Sequence, residues 1–162
     1  MKARKILFYI FLTLAVATNV FIIVESCIGG AGSAAQSFSF SESLANLLEK
    51  IFPNLVIDHA AFHSAIRKIV GHFLLFGLSG IFTTLTFVMS DYLMEKLKWK
   101  NITIILSIGL IIALISELIQ YFVPGRYGVL TDVLIDYSGY VLFSGIVYLI
   151  YILIIHRKTH NK

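Results

Sequence analysis

Nineteen consecutive residues, 6–24, carry no charge. That run is close to the roughly 20 apolar residues an α-helix needs to cross a bilayer's hydrocarbon core. Three more runs of similar length, 69–89, 102–122 and 133–155, are almost as apolar. Inside hydrocarbon every backbone polar group must be satisfied within its own segment or by a closed barrel, so runs of this length are read as helices. Hydrophobic residues make up 58% of the 162-residue chain and charged residues 14%, well below the roughly 25% typical of a soluble domain. The expected fold is all-α, an integral membrane four-helix bundle forming one domain over 1–162, with spans near 6–24, 69–89, 102–122 and 133–155. A net charge of +4 does not point to nucleic acid, because the basic residues flank apolar runs instead of forming one patch.

The first run has a competing reading as a cleaved signal peptide, since Gly29 to Ala35 is rich in small residues. A signal core is usually about 7–15 residues, shorter than this run, and a retained first helix is expected. Cys27 is the only cysteine, which excludes an intramolecular disulfide and a thiolate metal cluster. A lipoprotein signal at Cys27 fits poorly with Glu25 two residues before it.

Residues 25–66 form the longest stretch between spans. The segment GGAGSAAQSFS reads as flexible loop. From Ser43 onward Leu44, Leu47, Leu48, Ile51 and Phe52 recur at helical spacing, with Glu42, Asn46, Glu49 and Lys50 on the other side. Ser39 and Glu42 have capping-box spacing, and Pro53 closes the segment. The expectation is a short external amphipathic helix at the membrane interface, serving in packing or over the bundle mouth.

Basic residues in the short flanks set the orientation. With both termini inside, the inner flanks hold Lys2, Arg4, Lys5, Lys96, Lys98, Lys100, Arg157, Lys158 and Lys162, and Trp99 reads as an interface anchor. The outer flanks hold Lys50, Arg67, Lys68 and Arg126. The N- and C-termini are therefore expected in the cytoplasm and residues 25–66 outside.

The polar residues of the apolar runs gather at that outer end. Glu117 and Gln120, three apart, share one side of the third span. Asp132 and Asp136, four apart, open the fourth, with Asp132 expected in the first turn, where the helix dipole favours an acid. Arg126 lies in the Pro124-Gly125 turn between them and can reach Glu117 or Asp132 as a fork-shaped donor. Arg67 and Lys68 begin the second span, and His72 follows one turn later on the same face. Ionisable groups at such depth are costly and usually mark an interior network or a site. Three readings of the set stay open. It is an interhelical network; or Arg67, Lys68 and Arg126 take a phosphate while Glu117, Gln120 and Asp136 take hydroxyls or amides; or His72, Glu117 and Asp136 act as acid, base or metal ligands. No HExxH motif, nucleophile elbow or phosphate-cradling glycine loop is present. No cofactor is expected, and neither a metal nor an oligomeric state is specified.

Glu117, Gln120, Pro124, Gly125, Arg126, Asp132, Val133, Asp136 and Gly139, preceded by Arg67-Lys68 and His72-Phe73, together resemble the VanZ-like membrane proteins over about Arg67 to Gly145. Two departures from the pattern occur: Leu75 and Phe76 stand where an acid and an aromatic are expected, and Phe143 stands where a glycine is expected. The resemblance implies a multi-pass protein of the bacterial cytoplasmic membrane, related to one that confers low-level resistance to the glycopeptide teicoplanin. The expected role is non-enzymatic. It is engagement of membrane lipids, a lipid-linked cell-wall precursor or a glycopeptide through Arg67, Lys68, His72, Glu117, Gln120, Arg126, Asp132 and Asp136. The alternative is a small membrane-embedded enzyme acting on a lipid headgroup through His72, Glu117 and Asp136.

Overall fold

The computed structural model describes residues 2–54, 56–90 and 98–160, which form five helices and, among the described residues, no strand. Helix α1 is Lys2–Ser26, α2 is Gly30–Ile51 and α3 is His59–Met89, while α4 is Lys98–Phe122 and α5 is Leu130–His160. Four of them, α1, α3, α4 and α5, are long and apolar enough to cross a membrane. Lys96 and Lys162 lie outside the described residues, as do the side chains of Lys98, Trp99, Lys100, Arg157 and Lys158.

Helix α3 is the hub, packed chiefly on α5 and α1, and α4 completes the bundle against α5 and α1. The buried positions of α3 explain this arrangement, because Gly77, Ser79, Gly80, Thr83 and Thr84 are all small. Small side chains let backbones come close where lipid offers no hydrophobic drive for association. A Cβ on Gly80 would lie 2.6 Å from the Tyr140 carbonyl oxygen, and one on Gly109 would lie 2.3 Å from the Tyr140 ring. Tyr140 therefore fills a hole made by two glycines on neighbouring helices and is fully buried. Phe143, at a position where a glycine is expected, is accommodated in the same way. Its ring lies where a Cβ on Gly77 would sit and meets Phe73 edge-on with centroids 6.0 Å apart.

Several boundaries differ from expectation. The GGAGSAAQSFS segment is helical, and α2 begins at Gly30 instead of Ser43. The glycines that argued for a loop fall in its first turn, where helical hydrogen bonding is incomplete anyway. Ser39 is consequently inside the helix, with its carbonyl accepting from Ser43 Oγ (2.8 Å), and the capping box does not form. Helix α2 packs on the start of α3, where Ser41 and Ala45 are buried and Leu47, Ile51 and Phe52 are exposed. The second span starts ten residues before 69, at His59, where the Asp58 carboxylate caps the N–H groups of Ala60 and Ala61. Residues 98–101, which precede the expected start of the third span at 102, already belong to α4.

Candidate functional site

Helix α4 stops at Phe122, before Pro124, as helices tend to stop ahead of a proline. Residues 123–126 form a β-turn in which the Arg126 N–H donates to the Val123 carbonyl (3.1 Å) and Gly125 has φ +73°. Proline second and a positive-φ glycine third are what a type II turn requires. The following chain folds back over α4, and a Cβ on Gly128 would lie 2.3 Å from the Glu117 carbonyl oxygen.

This fold-back fixes Arg126. Its Nε (3.1 Å) and Nη2 donate to Gln120 Oε1, and its Nη1 donates to the carbonyls of Glu25 and Ile28, each at 3.4 Å. The expected contact with Glu117 or Asp132 does not form. Gln120 stands between Arg126 and Glu117, and the carbonyls of Glu25 and Ile28, at and just past the C-terminal end of α1 where the helix dipole is negative, attract the cation instead. Burial pushes the Arg126 guanidinium below its ordinary value, and the nearby Arg67 pushes it the same way. Arginine stays charged regardless.

Gln120 passes the connection inward, its Nε2 donating to Glu117 Oε1 at 3.0 Å. The other Glu117 oxygen accepts from the Val129 N–H at 3.1 Å. Both carboxylate oxygens of Glu117 are thus engaged, one from its own helix and one from the chain that folds back over it.

The opposite wall is α3, which changes from α to π winding over Arg67–Leu74. Such segments occur often at functional sites. Here the π segment carries Arg67, Lys68 and His72. His72 Nδ1 lies 2.9 Å from Asp136 Oδ1 and 3.9 Å from Glu117 Oε1. Lys68 Nζ lies 2.9 Å from Asp132 Oδ1, and Asp132 is in the first turn of α5 as its spacing suggested. Close approach of α3 to α5 depends on Gly139, where a Cβ would lie 2.1 Å from the Phe73 carbonyl oxygen. His72, Glu117, Gln120, Asp132 and Asp136 are all buried. The eight candidate residues therefore converge at one end of the bundle, seven of them in two clusters, Arg126–Gln120–Glu117–His72–Asp136 and Lys68–Asp132, with Arg67 outside both.

Beside them a cavity of about 440 Å³ lies between α1, α3 and the turn. Arg67, His72, Gln120, Arg126, Glu25, Ser26 and Ser33 supply its polar lining, and Phe21, Ile22, Val70, Leu75 and Phe76 its apolar one. Phe21 and Val70 are themselves exposed, so the cavity reaches the side of the bundle. A smaller cavity of about 180 Å³, lined by Lys68, Asp132, His63 and Ser64, shares Arg67 and His72 with it. Glu117 and Asp136 line neither cavity and sit behind His72. The Arg67 side chain has no hydrogen bond or ion pair among the described residues. The four contacts of Arg126 leave one of its five N–H donors uncommitted.

Residues 6–153 match the family model VanZ/LLP1, nearly the whole chain. The chain belongs to the VanZ/LLP1 family. No match was found among curated proteins or among solved structures. The match includes α1, so the family unit is larger than the Arg67 to Gly145 stretch that carries the motif residues. In this VanZ/LLP1 chain α1 supplies Phe21, Ile22, Glu25 and Ser26 to the cavity wall, none of which carries a motif signal. Sequence alone gave no pointer to them, because a carbonyl oxygen and an apolar wall are not written in residue type.

Proposed function

We propose that this VanZ/LLP1 protein binds the anionic headgroup of a membrane lipid, the class that includes lipid-linked wall precursors, in the cavity between α1 and α3. The binding is non-enzymatic and takes place at the outer face of a bacterial cytoplasmic membrane. The observation that carries the reading is Arg67, a guanidinium without a protein partner, in the same cavity as Arg126. Two arginines converging on a pocket favour phosphate, which guanidinium groups hold by paired charge-assisted hydrogen bonds. The apolar lining below them, reaching the side of the bundle, suits the first segment of an acyl or prenyl chain. Arg67 and Arg126 take the phosphate, while Gln120 and Glu117 hold Arg126 in place from behind. Lys68 is engaged by Asp132 and acts at the rim.

The test is lipid retained on the purified protein, measured by mass spectrometry, for wild type, Arg67→Ala and Lys50→Ala. A charge-assisted hydrogen bond contributes about 1.5–3 kcal/mol, so Arg67→Ala should lower anionic-lipid retention by roughly ten- to a hundredfold. Lys50→Ala, outside the cavity, should not lower it. Equal retention by wild type and Arg67→Ala at unchanged thermal stability sinks the reading. Its physiological arm is protection of a sensitive Gram-positive host from teicoplanin, which should be lost in Arg67→Ala and Arg126→Ala at matched membrane abundance.

The second reading, an enzyme acting on the same headgroup, is favoured by His72, which borders the cavity while touching a buried carboxylate behind it. Glu117→Gln keeps shape and much of the hydrogen bonding but removes a general base. Loss of headgroup turnover with lipid retention intact in that variant would support the enzyme.

A further inference from the structure

His72, Glu117 and Asp136 present one donor atom each within 4.8 Å of one another, and all three side chains are buried. Two carboxylates in such a place need compensation, because a buried charge left unpaired is strongly unfavourable. Of the other cations nearby, Lys68 is committed to Asp132 and Arg126 to Gln120 and the carbonyls of Glu25 and Ile28, while Arg67 lines the cavity, which neither Glu117 nor Asp136 reaches. Only the His72 imidazole faces both acids, and as a cation it would balance one of them. Asp136 Oδ2, on a side chain with 0% exposure, has no hydrogen-bond partner among the described residues.

We propose that His72, Glu117 and Asp136 bind a divalent first-row transition ion, with Zn²⁺ or Mn²⁺ as the fitting class. Two carboxylates cancel the charge of a divalent ion while the imidazole binds neutral. The imidazole donor favours these ions over Mg²⁺ or Ca²⁺, which prefer all-oxygen shells. Ligands at about 2.1 Å from one ion stand roughly 3.0–3.4 Å apart at right-angled or tetrahedral positions. The 2.9 Å and 3.9 Å separations from His72 Nδ1 bracket that range, and with all three donors within 4.8 Å of one another, a side-chain movement that draws Glu117 towards the other two completes the set. Asp136 Oδ2 supplies a second, otherwise unused oxygen. Three protein ligands leave at least one coordination position open, the pattern of reactive instead of purely structural sites. The proposal does not rest on lipid binding, since neither Arg67 nor Arg126 is a ligand.

The test uses the full chain in detergent, stripped with chelator, delipidated, incubated with ZnCl₂ or MnCl₂ and desalted. Metal is counted by mass spectrometry, and melting is followed with and without the salt. Wild type should retain about one ion per chain and melt at higher temperature with it, as for any ligand that binds only the folded state. Asp136→Asn and Glu117→Gln should each retain at least about tenfold less and lose the melting shift. Lys68→Met, adjacent but not a ligand, should behave as wild type, and Arg67→Ala should keep the ion while losing lipid. Wild type retaining no more than Asp136→Asn, with no melting shift, overturns the proposal and leaves the lipid result untouched.

Discussion

Gly139 and Gly145 lie on the same helix six residues apart and differ in what surrounds them. A Cβ at Gly139 would meet the Phe73 carbonyl oxygen at 2.1 Å and its carbon at 2.9 Å, whereas nothing lies within 4 Å of one at Gly145. The Phe73 neighbour is backbone and cannot rotate away, so α3 and α5 must separate to admit even one methyl group. Overpacking of this kind costs about 1–3 kcal/mol, and Gly139→Ala should lower the melting temperature of the purified protein. Gly145→Ala relieves a helix-interior glycine, a gain of up to about 1 kcal/mol, and should leave melting unchanged or raise it. A fall of equal size in both would show that the α3–α5 contact is not where the structure has it. Since Phe73 adjoins His72, Gly139→Ala should also disturb the His72–Asp136 contact.

At the scale of elements, the π segment of α3 and the first turn of α5 are tied by Lys68 and Asp132. The Lys68 side chain is 42% exposed and that of Asp132 is 10%, so the pair is half in water. Exposed pairs couple by about 0.2–1 kcal/mol, and this one, with a buried carboxylate and a lysine in water, belongs at the upper end of that range. A double-mutant cycle with Lys68→Met and Asp132→Asn should return a coupling in that range, smaller at high salt. A coupling of several kcal/mol would place the pair in a dry interior. The spans, the turn and the convergence of the polar side chains were legible in the sequence because each follows from a local rule. Run length marks the spans, Pro124-Gly125 marks the turn, and four-residue spacing puts Asp132 and Asp136 on one face. The π winding at 67–74 was not legible, since no residue type there demands it. The helical state of 30–42 was hidden by composition, as small residues suit a loop and a helix N-terminus equally. Two partners of Arg126 were hidden too, because they are the carbonyls of Glu25 and Ile28 near the end of α1, about a hundred residues away.

For the whole molecule, four spans bring both ends of the chain to one side of the bundle. Arg4 Nη2 donates to the Val88 carbonyl at 2.9 Å, tying the start of α1 to the end of α3. The cavity, α2 and the 123–129 turn lie at the other end, where Gly30 N–H donates to the Pro124 carbonyl (3.1 Å). The nine-to-four division of basic residues would put that end outside, and Cys27 tests it without any substitution. It is the chain's only cysteine, it is exposed, and it sits between α1 and α2 beside the cavity. A membrane-impermeant maleimide should label Cys27 in intact cells, with no further labelling after permeabilisation. Labelling that appears only after permeabilisation would turn the cavity towards the cytoplasm and exclude an outer-leaflet headgroup or an extracellular glycopeptide as its ligand. No labelling even of denatured protein would mean that the thiol is already modified, which returns the lipoprotein reading and makes α1 a removable leader. That third outcome would also remove Phe21, Ile22 and Glu25 from the cavity wall, so the same experiment decides whether the binding pocket exists in the mature chain.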